Sequence, residues 1–436
     1  MDRRVFIGAS ILLSLSLNST AVYADVFKSR YDVFQETSTP SIVGAFVMGA
    51  RGYMNYVPPS GMNWRIVLRD TCQISTTSRL GYTSLWSNGC DPKGMAQAIS
   101  SVAGQRWVVL TFAESAQADA MNESINSLTS SLQSPFVVPI FGQADHWATV
   151  WSINATRSVT GTGYSLNTVT FYDALGESTD SGSNIFYRGQ MTFNGLIWQR
   201  MYFGVINAIN ASCDPNCTSD PFFKKFVVTY DPPTSLRSTD AVVPHFSPVA
   251  APGLIAANSG ALGFGQRMSS ELAQRGVLTA LKLAGLDKDS EIYGIAAAGT
   301  AGVARLVQAK TPGGLPWNYY LVPIHDRSGA VTAFIELDAE DGAFQGSAVF
   351  ERPVEWQPVD PTSALATASQ SVSRGEQLGA GMLTWDPAVN DIHVKSPHLP
   401  FYSFPVLNRA GQAPVRVTLN GGLLIREHDS GNPQVK

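Results

Sequence analysis

An internal repeat in the second half of the chain constrains the fold more than any other feature of the sequence. Its two copies are Tyr320-Leu-Val-Pro323 with Gly329 and Tyr402-Ser-Phe-Pro405 with Gly411, at identical offsets. Each copy belongs to a pattern of two strands joined by a turn, and a stretch with helical spacing precedes it, at 269–286 and at 365–378. A repeated pattern of this kind predicts two copies of one small unit, a helix followed by antiparallel strands.

The repeated unit resembles the small helix-on-sheet modules, cystatin-like or PepSY-like, that are appended to exported bacterial peptidases. This resemblance implies that the units have no chemistry of their own. The histidines of the region are His325, His393, His398 and His428. Because they have no carboxylate or cysteine neighbours at the spacing of metal ligands, we interpret them as surface or core residues.

The first 24 residues have the pattern of a cleavable signal peptide. Arg3 and Arg4 precede an apolar run from 5 to 17, and Val22-Tyr-Ala24 supplies the short side chains that a signal peptidase requires, with Asp25 as the mature start. The apolar run is shorter than the roughly 20 residues that span a bilayer. The paired arginines also fit a twin-arginine signal, so either export route is open. We expect a periplasmic or extracellular protein with no membrane insertion after cleavage.

The sequence divides into four further segments. A linker rich in proline and small residues at 234–253 separates a first region, 25–233, from the two repeated units, 254–356 and 357–436. The formal net charge of −4 indicates no basic patch of the kind that binds nucleic acid or an anionic membrane, so we expect neither partner. Neither a cofactor nor an oligomeric state is indicated.

The densest chemical pattern lies in the first region, around His146. An apolar strand at 136–140 and a turn at 142–145 precede it, and Trp147, Thr149, Trp151 and Ile153 then alternate with smaller residues. A second strand follows and ends at Asp173. Antiparallel pairing of these strands brings His146 and Asp173 side by side. A carboxylate beside an imidazole orients the ring and stabilises its protonated form, as a general base requires.

Residues 50–180 resemble the compact bacterial branch of the papain-like cysteine peptidases, including the bacteriocin-processing and staphopain types. In that family a cysteine opens a helix, a His-aromatic strand follows, and an Asp or Asn lies on the next strand. The stretch 90–99 resembles the second helix of the family. The resemblance implies an α+β fold, with helices and an antiparallel sheet in the papain-like domain and two helix-on-antiparallel-sheet units after it. It also implies cleavage of peptide bonds by a Cys-His-Asp arrangement without a cofactor.

The position of the nucleophile has two alternatives. Spacing from the family pattern puts Arg65 there, which would make the protein inactive. Alternatively, Asp70 caps a helix that exposes Cys72 to the helix dipole, which lowers the pKa of a thiol. In an oxidising compartment Cys72 could instead form a disulfide with Cys90.

Further departures leave the activity open. The sequence contains no glutamine between Gln35 and Gln73 to serve as an oxyanion donor, and Ala174 stands where the family has proline. Cys213 and Cys217 fit a tight local disulfide or, alternatively, half of a metal site. Two functions follow: an exported cysteine peptidase with Cys72, His146 and Asp173, or an inactive relative that binds peptides or proteins.

Overall fold

A computed structural model gives the fold. The described residues are 24–28, 92, 96, 107–129, 134, 136–139, 147–157, 164–173, 187–199, 203–205, 222, 224–230, 267–287, 291–310, 316–386, 389, 397–408 and 413–424.

The described part of the first region consists mainly of strands. Its elements are β1 (Ala24–Lys28), β2 (Val108–Ala113), α1 (Gln117–Thr129), β3 (Phe136–Pro139), β4 (Trp147–Arg157), β5 (Tyr164–Asp173), β6 (Tyr187–Asn194), the single turn α2 (Gly195–Ile197) and β7 (Lys225–Tyr230). Helix α1 packs its buried apolar residues Met121, Ile125 and Leu128 into the same core as strands β3 to β6.

The second half has two successive groups of helices and strands. The first comprises α3 (Ser270–Leu283), α4 (Glu291–Ala298), β8 (Thr300–Ala301), β9 (Arg305–Lys310), β10 (Pro316–His325), β11 (Val331–Asp338) and β12 (Phe344–Val354). The second comprises α5 (Pro361–Gln370), β13 (Met382–Trp385), β14 (Phe401–Phe404), β15 (Val415–Thr418) and β16 (Leu423–Leu424).

The expected α+β class is confirmed. The described strands form one sheet in the order β16-β15-β14-β13-β9-β10-β11-β12-β6-β5-β4-β3-β7-β2, with β1 beside β4 and β8 beside β10. Among these strands the neighbours pair antiparallel, except that β13 pairs with β9 in parallel. No described helix is long and apolar enough to cross a membrane.

The helices of the repeat begin where capping chemistry places them. Ser269 caps α3, and its hydroxyl accepts a hydrogen bond from the Leu272 amide at 3.2 Å, in agreement with the predicted start. Helix α5 begins and ends earlier than its predicted range. Asp360 accepts from the amides of Thr362 and Ser363, Pro361 occupies the first turn, and the helix ends at Gln370.

Equivalent hydrogen bonds support the repeat in three dimensions. Tyr320 donates its hydroxyl proton to the carbonyl of Met268, and Tyr402 donates to that of Val359. Each acceptor residue immediately precedes the N-cap of its own unit's helix. The amide of Met268 donates to Ala339, directly after β11, and the amide of Val359 donates to Leu419, directly after β15. The two units therefore attach helix to hairpin in the same way.

A third pair of bonds fixes the other end of each unit. The amide of Gly302 donates to the carbonyl of Pro323, and the amide of Gly379 donates to that of Pro405, both at 2.8 Å. A Cβ at either glycine would lie within about 3 Å of the ring of its proline, at 3.0 Å and 2.9 Å respectively. The prolines that mark the repeat in the sequence thus receive equivalent contacts.

The sheet passes from the first region into the second half without interruption. Strand β12 pairs with β6, and Gly346 lies opposite Phe193 at this seam. One hydrophobic core covers this face on both sides of the seam, because it contains Met191 and Phe193 together with Phe334 and Ala348. The opposite face of the first repeat unit has its own core beneath α3 and α4, and α5 covers a third core in the second unit.

Candidate functional site

The β4–β5 hairpin carries the first candidate site, and its pairing agrees with the antiparallel arrangement expected from the sequence. Ala148 pairs with Asp173, Thr149 with Tyr172, and Val150 with Phe171. Strand β4 begins at Trp147, the residue after His146, and β5 ends at Asp173. The start of β4 and the end of β5 therefore lie side by side, at the same end of the hairpin.

Two β-bulges interrupt the hairpin. Trp151 is an extra residue on β4, between the Val150–Phe171 and Ser152–Thr170 pairs, and Asn167 is an extra residue on β5. The first bulge moves Ile153 to the face that Val150 occupies, where both join the main core. The simple alternation from Trp147 to Ile153 that the sequence indicates is therefore broken at Trp151.

The hairpin is held on both sides. Ala148 also pairs with Val138 on β3, and Tyr172 pairs with Gln190 on β6. Because Ala148 and Val138 are fully buried, the strand that follows His146 has little freedom at its first residues. A rigid strand of this kind is a suitable support for a residue at its end.

The other face of the hairpin is polar and partly buried. Asn167 donates to the side chains of Asn154, at 3.2 Å, and Thr156, at 2.7 Å, and the hydroxyls of Thr170 and Thr192 lie 2.9 Å apart. Asn154 in turn donates to the carbonyl of Gly285, at the end of helix α3. This bond ties the hairpin directly to the first repeat unit.

The other predicted site residues do not lie in the described part of the chain. Cys72, Cys90, His146, Arg65, Cys213 and Cys217 are all outside it, and Asp173 is described at the level of its strand position. Within the stretch expected to form the second papain-like helix, Pro92 and Ala96 are helical and buried. The predicted roles of the cysteines and of His146 therefore remain predictions.

A second group of ionisable residues lies in the main core, where the sequence did not predict one. Nε2 of His398 is 3.5 Å from Oε1 of Glu336, and both side chains are 0% exposed. Glu336 lies in the middle of β11, and His398 lies in the turn before β14. The imidazole ring packs on Phe193 of β6, with ring centroids 5.6 Å apart. Three separate parts of the chain thus meet at this pair.

The surroundings of the pair are fitted closely around it. Leu321 on β10 and Gly346 on β12 flank Glu336 in the sheet, and a Cβ at Gly346 would lie 2.7 Å from Oε2 of Glu336. The hydroxyl of Tyr319, also fully buried, donates to the carbonyl of Pro397 and holds the turn that carries His398. Glycine at 346 therefore provides the room that the carboxyl group needs.

Burial shifts both titrations toward the uncharged forms. Removal from water raises the pKa of Glu336 well above its usual value and lowers the pKa of His398 to about 3. A neutral carboxylic acid beside a neutral imidazole satisfies both tendencies and leaves the pair without net charge. Among the described residues no cluster of three or more His, Cys, Asp or Glu could hold a metal ion.

His398 is a core histidine, one of the two positions expected for the histidines of this region, but its partner Glu336 was not expected from the sequence. Glu336 is the one local signal, since it interrupts the apolar stretch Phe334-Ile-Glu336-Leu337 in a strand that is otherwise buried. A charged residue in such a strand indicates a buried partner. The identity of that partner, 62 positions away, follows only from the fold.

Comparison with known proteins gives no family. No family model matches the chain, and no curated protein matches it. Among solved structures, the chain is similar to the Bacillus megaterium YpeB C-terminal domain, with 9% sequence identity and a TM-score of 0.17, over 72% of this chain and 95% of that one. A structural likeness this weak carries no inference about function.

Proposed function

We propose that the protein is an exported, papain-like cysteine peptidase in which Cys72 is the nucleophile, His146 the general base and Asp173 the residue that orients His146. The observation that carries the proposal is the pairing of Ala148 with Asp173. Ala148 lies two positions after His146 in the chain. This register supports a histidine and a carboxylate at one edge of a rigid sheet, as the chemistry requires.

Each residue has a defined role in the proposed reaction. His146 takes the thiol proton of Cys72, and the thiolate attacks the carbonyl carbon of a peptide bond. The imidazolium then gives its proton to the leaving amine, and water hydrolyses the thioester with His146 again acting as base. Asp173 holds the ring in the required tautomer and stabilises its charged form. The reaction needs no cofactor and no metal.

The alternative is an inactive relative that binds peptides or proteins. It is favoured by one observation, the lack of a glutamine between Gln35 and Gln73 that could stabilise the oxyanion. In this alternative Cys72 is bonded to Cys90, or Arg65 occupies the nucleophile position, and no reactive thiol exists.

Labelling with a thiol-directed epoxide tests the proposal on the mature chain from Asp25, purified after export. We expect one label, at Cys72, identified by peptide mass spectrometry, and loss of the label in His146→Ala because the imidazole no longer takes the thiol proton. His325→Ala is the matched control, since it removes a histidine from the repeat region and should leave labelling unchanged.

Further measurements separate the two functions. An active peptidase should also lose labelling in Cys72→Ser and keep it in Cys90→Ser. A Cys72–Cys90 disulfide found in peptides prepared without reductant, together with no labelling after mild reduction, would refute the peptidase. Binding of peptides by that unlabelled protein would establish the alternative.

A further inference from the structure

The Glu336–His398 pair has a physical property that the proposed peptidase chemistry does not use. Two ionisable groups with no exposed surface lie 3.5 Å apart inside an apolar core. A net charge in such a place is strongly unfavourable even after the protein relaxes. The pair is uncharged overall only when it holds one proton, whether that proton sits on the carboxyl group or on the ring.

The Glu336–His398 pair lies where three parts of the chain join, so a net charge on it would affect the whole fold. Glu336 belongs to the first repeat unit, His398 to the second, and Phe193, which packs on the imidazole ring, to the first region. The turn at 397–400 is held by His398, by the buried Leu399 and by the bond from Tyr319 to Pro397. A charge on the pair would therefore act where the three parts of the chain join.

We propose that Glu336 and His398 form a one-proton pair that holds the turn at 397–400 against the β6–β12 seam, and that gain of a second proton or loss of the shared one releases the turn. Because the chain is proposed to be exported, the protonation of this pair would follow the pH outside the cytoplasm. It is independent of Cys72, so the two proposals stand or fall separately.

Proton counting predicts the shape of the response. The folded pair holds one proton, whereas the unfolded chain holds two below about pH 4.3, one between about 4.3 and 6.5, and none above, from the ordinary pKa values of Glu and His. Stability follows the difference in bound protons. The contribution of the pair is therefore largest between these values and declines on both sides, by up to about tenfold in the unfolding equilibrium constant per pH unit.

Other ionisable groups lie near the pair on the same side of the sheet. On β11, Asp338 lies two residues beyond Glu336, on β9 Arg305 lies opposite Leu321, and on β10 Tyr319 carries a phenol. Glu336 itself faces Gly346 on β12 and, beyond it, Phe193 on β6, neither of which titrates. Comparison of variants at each pH removes the contributions of Asp338, Arg305 and Tyr319, because these residues are common to all the proteins.

Three variants of the mature chain test the pair by urea unfolding between pH 3 and 8. In Glu336→Gln the shared proton is gone, so the decline above pH 6.5 should disappear and the decline on the acid side should begin near 6.5. In His398→Gln the acid decline should disappear and stability should fall above about 4.3. The double variant should lose the pH dependence that the pair contributes on both sides. His325→Gln should keep the pH dependence of the parent protein.

Two measurements on the unaltered protein keep the proposal testable even if a variant does not fold. The ring of His398 should show no titration step between pH 5 and 7 in NMR spectra of the folded chain. After correction for the pH dependence of intrinsic amide exchange, protection of peptides covering 397–407 should fall above pH 6.5 before protection falls in peptides from α3. A titration step near 6.5, or parallel stability curves for the parent and the three variants of the pair, would overturn the proposal.

Discussion

Gly346 and Phe193 lie directly opposite each other across strands β12 and β6, where the two halves of the chain share one sheet. A Cβ on Gly346 would be 2.6 Å from Cε1 of Phe193 and 2.7 Å from Oε2 of Glu336. Both neighbours are fully buried and cannot move aside without disturbing the core. The pairing of β12 with β6 therefore requires a residue without a side chain at position 346.

Gly346→Ala should destabilise the protein by about 1–3 kcal/mol, because an extra methyl group in a filled core forces its neighbours off their preferred positions. Chemical denaturation measures the change. Gly294→Ala on helix α4 is the matched control, since a Cβ there has no atom within 4 Å. The control should be neutral or more stable by about 0.4–1 kcal/mol, as expected for alanine in a helix. Equal effects of the two substitutions would contradict the close fit at the seam.

The two equivalent tyrosines should differ in their contribution to stability. Tyr320→Phe leaves the carbonyl of Met268 without its 2.6 Å partner in a buried place, and we expect a loss of about 1–2 kcal/mol. Tyr402→Phe removes a longer bond, 3.1 Å, in a partly buried place, and should cost less. Thermal unfolding of the two variants gives the comparison, and a larger loss in Tyr402→Phe would show that the units are not held as described.

Asp338 should make the protein less stable as pH rises through the range of its titration. Burial is the main cause that raises its pKa to about 6, so the fold favours the protonated carboxyl group more than the unfolded chain does. Stability from this residue is complete below about pH 4 and is lost as pH rises toward and through 6. Asp338→Asn removes this dependence, so its stability relative to the parent should increase by roughly 2 kcal/mol between pH 4 and 7. Denaturation curves of both proteins at pH 4 and pH 7 measure this increase. A stability difference that is the same at both pH values would contradict the raised pKa of Asp338.

The first region should not be stable when separated from the repeat. A fragment of residues 25–233 would expose the edge of β6 that pairs with β12, and the part of the core that Met191 and Phe193 share with Phe334 and Ala348 in the full chain. We expect it to aggregate or to bind a hydrophobic dye. A fragment of residues 25–356 keeps the seam and should be more soluble, which size-exclusion chromatography measures. A monomeric, dye-free fragment of 25–233 would show that its core does not need the repeat.

Local patterns in the sequence are sufficient to predict part of this structure. The repeat motif, the start of α3 and the β4–β5 hairpin follow from turn residues, capping residues and hydrophobic periodicity. The bulge at Trp151 was missed because one extra residue leaves the local pattern nearly unchanged. The seam was missed because nothing near Phe193 indicates that Gly346 will be its neighbour. The same holds for Glu336 and His398, whose pairing depends on contacts between distant parts of the chain.

The seam also sets an order of events during synthesis. Phe193 and Gly346 are 153 residues apart, so β6 has no partner on one side until almost the whole chain has left the ribosome. During that interval the unpaired edge of β6 is open to pairing with other chains, a known route to aggregation. A protein with this topology benefits from being kept unfolded by a holding chaperone, or from completing its fold before it is moved. If the chain is exported as proposed, the choice between the two export routes also determines the compartment in which β12 joins β6.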